Sequence, residues 1–348
     1  MWSGILRDLL RQHRDELMTR SPGPGIPALR QAIADHLRSF RGMAVQPEQI
    51  ICGAGTEYLY GLLIQLLGRE KCYAVEDPGY GKIRRVYESQ GVRCAPVAMD
   101  SQGLMPRLLD RCGADVVHIT PGHHFPTGTV MPIARRYELL AWASASGERY
   151  IIEDDYDSEF RFTGRMVPTL QSIDATGRVI YINTFTKTLA STMRISYMVL
   201  PAGLVSRFHE LLGFYACTVP NMDQYALAEF LSHGHFEKHL NRMRNLYRVR
   251  RDRLLQAIRT TAGVGDGAIR GQDAGLHFLL DLDTGLSDEA LCACALRHGL
   301  RILPLSACYA PGSAAPSHTL VISYSALSEE QLDEAAVRLG RMLREAGA

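Results

Sequence analysis

Residues Val179-Ile180-Tyr181-Ile182-Asn183-Thr184-Phe185-Thr186-Lys187-Thr188 pass from a short apolar run into a cluster of hydroxyls around one lysine. Arg194 follows seven residues after that lysine. An apolar run of this length reads as a buried strand. Its far end presents an amine beside small hydroxyls and a fixed cation. That grouping suits chemistry in which an amine attacks an aldehyde while a phosphate is held alongside. A lone lysine on a loop is more often a solvated surface cation, so the reading depends on what the rest of the chain supplies.

Outward from this strand the chain alternates. Apolar strand candidates fall at 72–76, 93–97, 115–120, 149–153, 179–183 and 196–200, with helical segments between them at 57–67, 80–90 and 133–146. This alternation predicts an α/β domain with a largely parallel central sheet. Residues 1–19 read as one amphipathic helix, stopped by Ser21-Pro22-Gly23-Pro24-Gly25-Ile26-Pro27, and a second helix carries Leu29, Ile33, Ala34 and Leu37. Beyond Pro201, residues 222–262 read as long helices. A smaller α+β region follows, with strands near 276–282, 300–304 and 319–324 and a closing helix at 328–346. The expected division is a large lobe over 30–240 and a small lobe built from 1–29 and 241–348.

Composition narrows the class. The 348 residues are 46% hydrophobic and 22% charged with a formal net charge of +1, so no global charge points to nucleic acid or an anionic membrane. The eight cysteines form no metal or disulfide framework, and Cys292 and Cys294, two apart in a helix, point to different faces. Free thiols, a start without a leader pattern and no long apolar span make a cytoplasmic protein the expectation.

Four further features fall at predicted strand ends, where open α/β sheets place ligands. In Glu153-Asp154-Asp155-Tyr156-Asp157-Ser158-Glu159, Asp154 and Tyr156 project to one side of an extended segment. A carboxylate and a phenol so placed could grip the ring nitrogen and ring hydroxyl of a pyridine cofactor. The same oxygen donors could instead hold a hard cation. Gly55, Thr56 and Glu57 open a helix whose amides could take a phosphate. Tyr80 follows a Pro-Gly turn and could lay its ring across a flat cofactor. His123 and His124 sit in a rigid turn, where at most one can face a site, and no metal is expected there. Thr184, Thr186 and Arg194 would share the phosphate.

On these residues the chain resembles the fold-type I, class I/II pyridoxal-phosphate aminotransferases. It is most similar to the aminotransferase-like domain of MocR-type regulators of the GntR superfamily. The carrying stretches are Glu76-Asp77-Pro78-Gly79-Tyr80, Phe125-Pro126-Thr127-Gly128, Glu153 through Phe160, Thr184 through Arg194 and Ala274-Gly275-Leu276-His277. The resemblance implies the fold of that family, pyridoxal 5'-phosphate as cofactor, and Lys187 as its Schiff-base anchor and the catalytic base. Asp154 would partner the pyridine nitrogen, Tyr156 the ring hydroxyl and Tyr80 the ring face. Arg194, Thr184 and Thr56 would hold the phosphate, and a homodimer is implied.

Four departures qualify it. The regulators carry a winged helix-turn-helix, whereas this chain starts where their aminotransferase part starts, so no nucleic acid binding through it is expected. Phe125 stands where aminotransferases usually have asparagine. The final strand, Leu320-Val321-Ile322-Ser323-Tyr324, lacks the arginine that often binds a substrate carboxylate. That leaves Lys82 as the carboxylate candidate, with Tyr309 in the loop where some relatives carry an arginine. Arg20 stands about where a tyrosine usually meets the partner subunit, and could reach the neighbouring phosphate. The expected activity is amino transfer between a small amino acid or amine and a keto acid. The alternatives are a sensor that holds the cofactor with little turnover, or another reaction of the same cofactor such as racemisation or elimination.

Overall fold

The computed structural model describes residues 2–162, 167–190 and 192–347. Eight strands form the large sheet: β1 Ile50–Gly53, β2 Cys72–Asp77, β3 Arg93–Asp100, β4 Gly103–Leu104, β5 Val116–Ile119, β6 Tyr150–Asp154, β7 Val179–Thr184 and β8 Ser196–Val199. Their order across the sheet is β1-β8-β7-β6-β5-β2-β3-β4. The central strands β7, β6, β5, β2 and β3 run parallel, while β8 runs antiparallel to both its neighbours, β7 and the edge strand β1. β2, β5 and β7 are buried at every residue, which is why each opens in the sequence on an apolar run.

Helices cover both faces. Leu59, Leu62 and Leu63 of helix Thr56–Leu67 pack with Ile51, Ile180 and Met198 on one side. Leu139 and Trp142 of helix Ile133–Ser144 pack with Ala74, Val117 and Ile151 on the other. A second sheet, β9 Ile269–Arg270, β10 His277–Asp281, β11 Leu303–Pro304 and β12 Thr319–Ser323, is antiparallel in the order β11-β12-β10-β9. One apolar core links the two parts, running from Ile26, Leu29 and Ile33 through Tyr181 and Tyr197 to Phe278 and Leu339.

One helical expectation is corrected: the N-terminal segment is two helices, Trp2–Gln12 and Arg14–Leu17. The long helices expected over 222–262 are Asn221–Ser232 and His235–Ala262. Gly234 makes the break between them because its φ of 65° lies in the left-handed region that glycine adopts without strain. Leu9 and Leu17 of the N-terminal helices pack on Ala226 of helix Asn221–Ser232. Among the described residues no helix is long and apolar enough to cross a membrane, and every cysteine is free.

Candidate active site

The C-terminal ends of β6 and β7 open onto a cavity of about 330 Å³. Gly55, Thr56 and Glu57 reach it from the start of helix Thr56–Leu67, and Tyr80 and Lys82 from the start of helix Gly81–Ser89. Asp154 and Tyr156 come from the end of β6, Thr184, Thr186 and Lys187 from the end of β7, and Arg194 from the return into β8. Residues separated by more than a hundred positions thus converge because parallel strands all deliver their ends to one side.

At the floor, Asp154 is buried. Its Oδ2 accepts a hydrogen bond from the Tyr60 hydroxyl at 2.5 Å, and His118 Nε2 lies 3.4 Å from the same oxygen. Oδ1 is buried without a hydrogen-bond partner among the described residues. The Tyr156 hydroxyl is also buried without a well-aligned partner. Burial, reinforced by nearby Asp157 and Asp154, holds that phenol well above its usual pKa, so it remains a proton donor.

On the wall, Ser196 Oγ donates to Thr184 Oγ1 at 2.8 Å, and Thr184 Oγ1 donates to Thr186 Oγ1 at 2.9 Å. Gly55 has a φ of 96°, and a Cβ there would come within 2.3 Å of Arg194 Nη2. Glycine is therefore favoured by the backbone, and a Cβ there would push the half-exposed Arg194 guanidinium aside. Gly55→Ala is expected to displace Arg194 and weaken binding of a phosphate-bearing ligand about 10-fold, the loss of one charge-assisted contact. Titration of the ligand against variant and wild type measures it.

Lys82 lines the cavity, but its ammonium is ion-paired with Glu57, which also lies 3.7 Å from Arg194 Nη2. The hydrogen bond from Lys82 holds the Glu57 carboxyl below its usual range. This pairing, absent from the sequence reading, competes with any role of Lys82 toward a substrate carboxylate.

Three residues named from the sequence, His123, Arg20 and Tyr309, do not line this cavity. His123 does not line the cavity: the turn after β5 directs it beneath the loop that follows β6. There its Nδ1 is 2.9 Å from Asp157 Oδ2 and its ring packs 4.8 Å from that of His277. The backbone of Gly275 abuts the same ring, with no room for a Cβ. His123, Asp157 and His277 bring ligand-type atoms within 4.8 Å of one another. His123 Nδ1 is engaged by Asp157, however, and His277 Nε2 by the Pro126 carbonyl at 3.1 Å. Arg20 is exposed and outside the cavity. Tyr309 lines a smaller neighbouring space of about 70 Å³ with Asp77, Tyr80 and Cys308.

That second space marks a clamp the sequence did not reveal. Gly79 N–H donates to the Cys308 carbonyl at 3.0 Å, and Asp77 accepts from Ala310 N–H at 2.8 Å and Ser313 O–H at 2.5 Å. The turn that carries Tyr80 is thereby tied to the loop before β12. Tyr60, Thr120 and Ser196 were also missed as cavity residues. Tyr60 was detectable in principle, since it lies four residues after Thr56 and so on the same helix face.

Beside the cavity, Glu76 Oε2 accepts from both the N–H and the hydroxyl of Thr120, at 2.9 and 2.7 Å. Burial nevertheless pushes its pKa up to about 8 from 4.5. The folded state then binds more protons than the unfolded one between those values, so Glu76 makes stability fall as pH rises from about 4.5 to 8. Glu76→Gln is expected to remove this slope. The difference in melting temperature, variant minus wild type, should increase across that window, and a pH series of melts checks it.

Comparison with known proteins identifies the class. The model of the aminotransferase class I and II family matches residues 7–339, and the chain belongs to that family. It is 38% identical over 338 residues to the uncharacterized HTH-type transcriptional regulator YdeL of Bacillus subtilis, covering 97% of this chain and 72% of the regulator. It is 32% identical to the probable rhizopine catabolism regulatory protein MocR of Rhizobium meliloti, over 96% of this chain and 67% of that one. Among solved structures, LysN of Thermus thermophilus, an α-aminoadipate aminotransferase complexed with N-(5'-phosphopyridoxyl)-L-leucine, superposes with a TM-score of 0.84. It is 25% identical, over 99% of this chain and 88% of LysN. The fold is that of the fold-type I pyridoxal-phosphate enzymes, and the cofactor is pyridoxal 5'-phosphate. The residues present fit it: Asp154 Oδ1 and the Tyr156 hydroxyl are buried without good partners on the cavity floor, and Gly55 with Arg194 forms a cradle that a Cβ would fill.

Proposed function

We propose that the protein is an aminotransferase that moves an amino group between a small amino acid or amine and a keto acid. The observation that carries this reading is the convergence on one cavity of the Lys187 amine, the free oxygen of Asp154, the Tyr156 phenol and the Gly55–Arg194 cradle. Bound pyridoxal phosphate supplies an aldehyde for amines and a ring that draws electrons from the carbon beside the amine nitrogen. Lys187 would anchor the cofactor covalently, then yield that position to the incoming amine and move a proton at its α-carbon. Asp154 Oδ1 would keep the ring nitrogen protonated, and Tyr156 would donate to the ring oxygen. Gly55, Thr56, Thr184, Thr186 and Arg194 would hold the phosphate, with Tyr80 and Phe125 lining the space above. A homodimer in the cytoplasm belongs to the same reading, with Arg20 facing the partner subunit.

A second reading, a sensor that holds the cofactor and an amino compound with little turnover, is favoured by two observations. The relatives YdeL and MocR are named as regulators, and Lys82, the expected carboxylate contact, is committed to Glu57. A single-turnover experiment distinguishes the two. Protein loaded with pyridoxal phosphate is mixed with amines and amino acids in turn, and the carbonyl product is quantified. Release of one product per site supports the transferase. A change in visible absorbance with no product supports the sensor.

A further inference from the structure

We propose that Tyr60 is a positioning residue: its hydroxyl holds one oxygen of Asp154 so that the other is presented to the ring nitrogen of the cofactor. This rests on the cofactor reading given above and adds a residue to it.

The geometry is asymmetric about the Asp154 carboxylate. Oδ2 receives the Tyr60 hydroxyl at 2.5 Å and has His118 Nε2 at 3.4 Å, whereas Oδ1 has no partner among the described residues. His118 is itself held, since its Nδ1 is 2.8 Å from the Tyr87 hydroxyl and its ring meets the Tyr60 ring edge-on at 5.0 Å. Tyr87 in turn stacks on Tyr73 of β2 at 5.0 Å. All these side chains are buried. A free carboxylate turns readily about its terminal torsion. One held through a single oxygen by a short charge-assisted bond, against packed rings, does not.

Tyr60 also lies one helical turn beyond Thr56 on helix Thr56–Leu67. A single rigid helix therefore carries the start of the phosphate cradle and the group that orients Asp154. Its register would set the spacing of the groups that hold the two ends of the cofactor. Burial keeps the Tyr60 phenol protonated and hence a donor.

The test uses full-length protein, pyridoxal phosphate, and the analogue in which the ring nitrogen is replaced by C–H. Tyr60→Phe is expected to weaken pyridoxal phosphate about 10-fold, the loss of one hydrogen bond to a charged group. It should change affinity for the carbon analogue less than about 2-fold, because the effect passes through Asp154 to the nitrogen. In an Asp154→Asn background the same substitution should cost nothing further. Equal losses for both ligands, or an undiminished loss in the Asp154→Asn background, would overturn the proposal. Should Tyr60→Phe fail to fold, Tyr87→Phe, which frees His118, is expected to give the same selective pattern at smaller amplitude, and an unselective loss there overturns the proposal equally. If the wild type binds neither compound, it is the cofactor reading that falls.

Discussion

Lys187→Ala is expected to leave a folded protein that binds pyridoxal phosphate reversibly, without the covalent bond, and loses amino-transfer activity by about 10⁴-fold. The lysine sits on the segment immediately after β7, next to the Thr184–Thr186 hydroxyl chain, and lines the cavity. In the proposed function its removal would delete both the anchor and the group that moves the proton. The fold should tolerate the change, because the Lys187 side chain is exposed and contributes nothing to the buried core. Borohydride reduction followed by mass spectrometry of the intact chain makes the check direct. The wild type should gain the mass of the reduced cofactor, and the variant should not. Labelling of the variant at another lysine would assign the anchor elsewhere.

Asp154→Asn should have the next largest effect. The substitution keeps an oxygen that can accept from Tyr60 but removes the negative charge that would face the ring nitrogen. Without that charge the ring nitrogen of the bound cofactor would be less readily protonated, and the ring would withdraw electrons less strongly. A fall of about 10³-fold in kcat is expected, the scale seen when a preorganised electrostatic contact is removed from a buried site. Thermal stability should change little. A variant with near-normal kcat would mean that another group protonates the ring.

The large sheet was readable because β2, β5, β6 and β7 are almost wholly buried and so open on short apolar runs. β1 was not, since Ile50-Ile51-Cys52-Gly53 merges without a boundary into the glycine loop that begins the next helix. At the site, Asp154, Tyr156 and Lys187 were legible because strand ends and period-two alternation tell where side chains project. His123 shows where that rule ends. It lies past the strand, and the turn after β5, not alternation, decides its direction toward Asp157. Pairings across the fold, such as Lys82 with Glu57 and Tyr60 with Asp154, depend on how two helices approach a strand end, and no local pattern carries that information.

The most direct test of the central claim follows the nitrogen itself. Protein loaded with pyridoxal phosphate is incubated with a ¹⁵N-labelled amino donor and an unlabelled keto acid, across a panel of each, and the products are resolved by mass spectrometry. ¹⁵N is expected in a new amino acid derived from the acceptor, at many turnovers per site, with Lys187→Ala giving none. Label that stays in the donor while the visible absorbance of the protein changes would contradict the claim and leave a cofactor-bearing sensor.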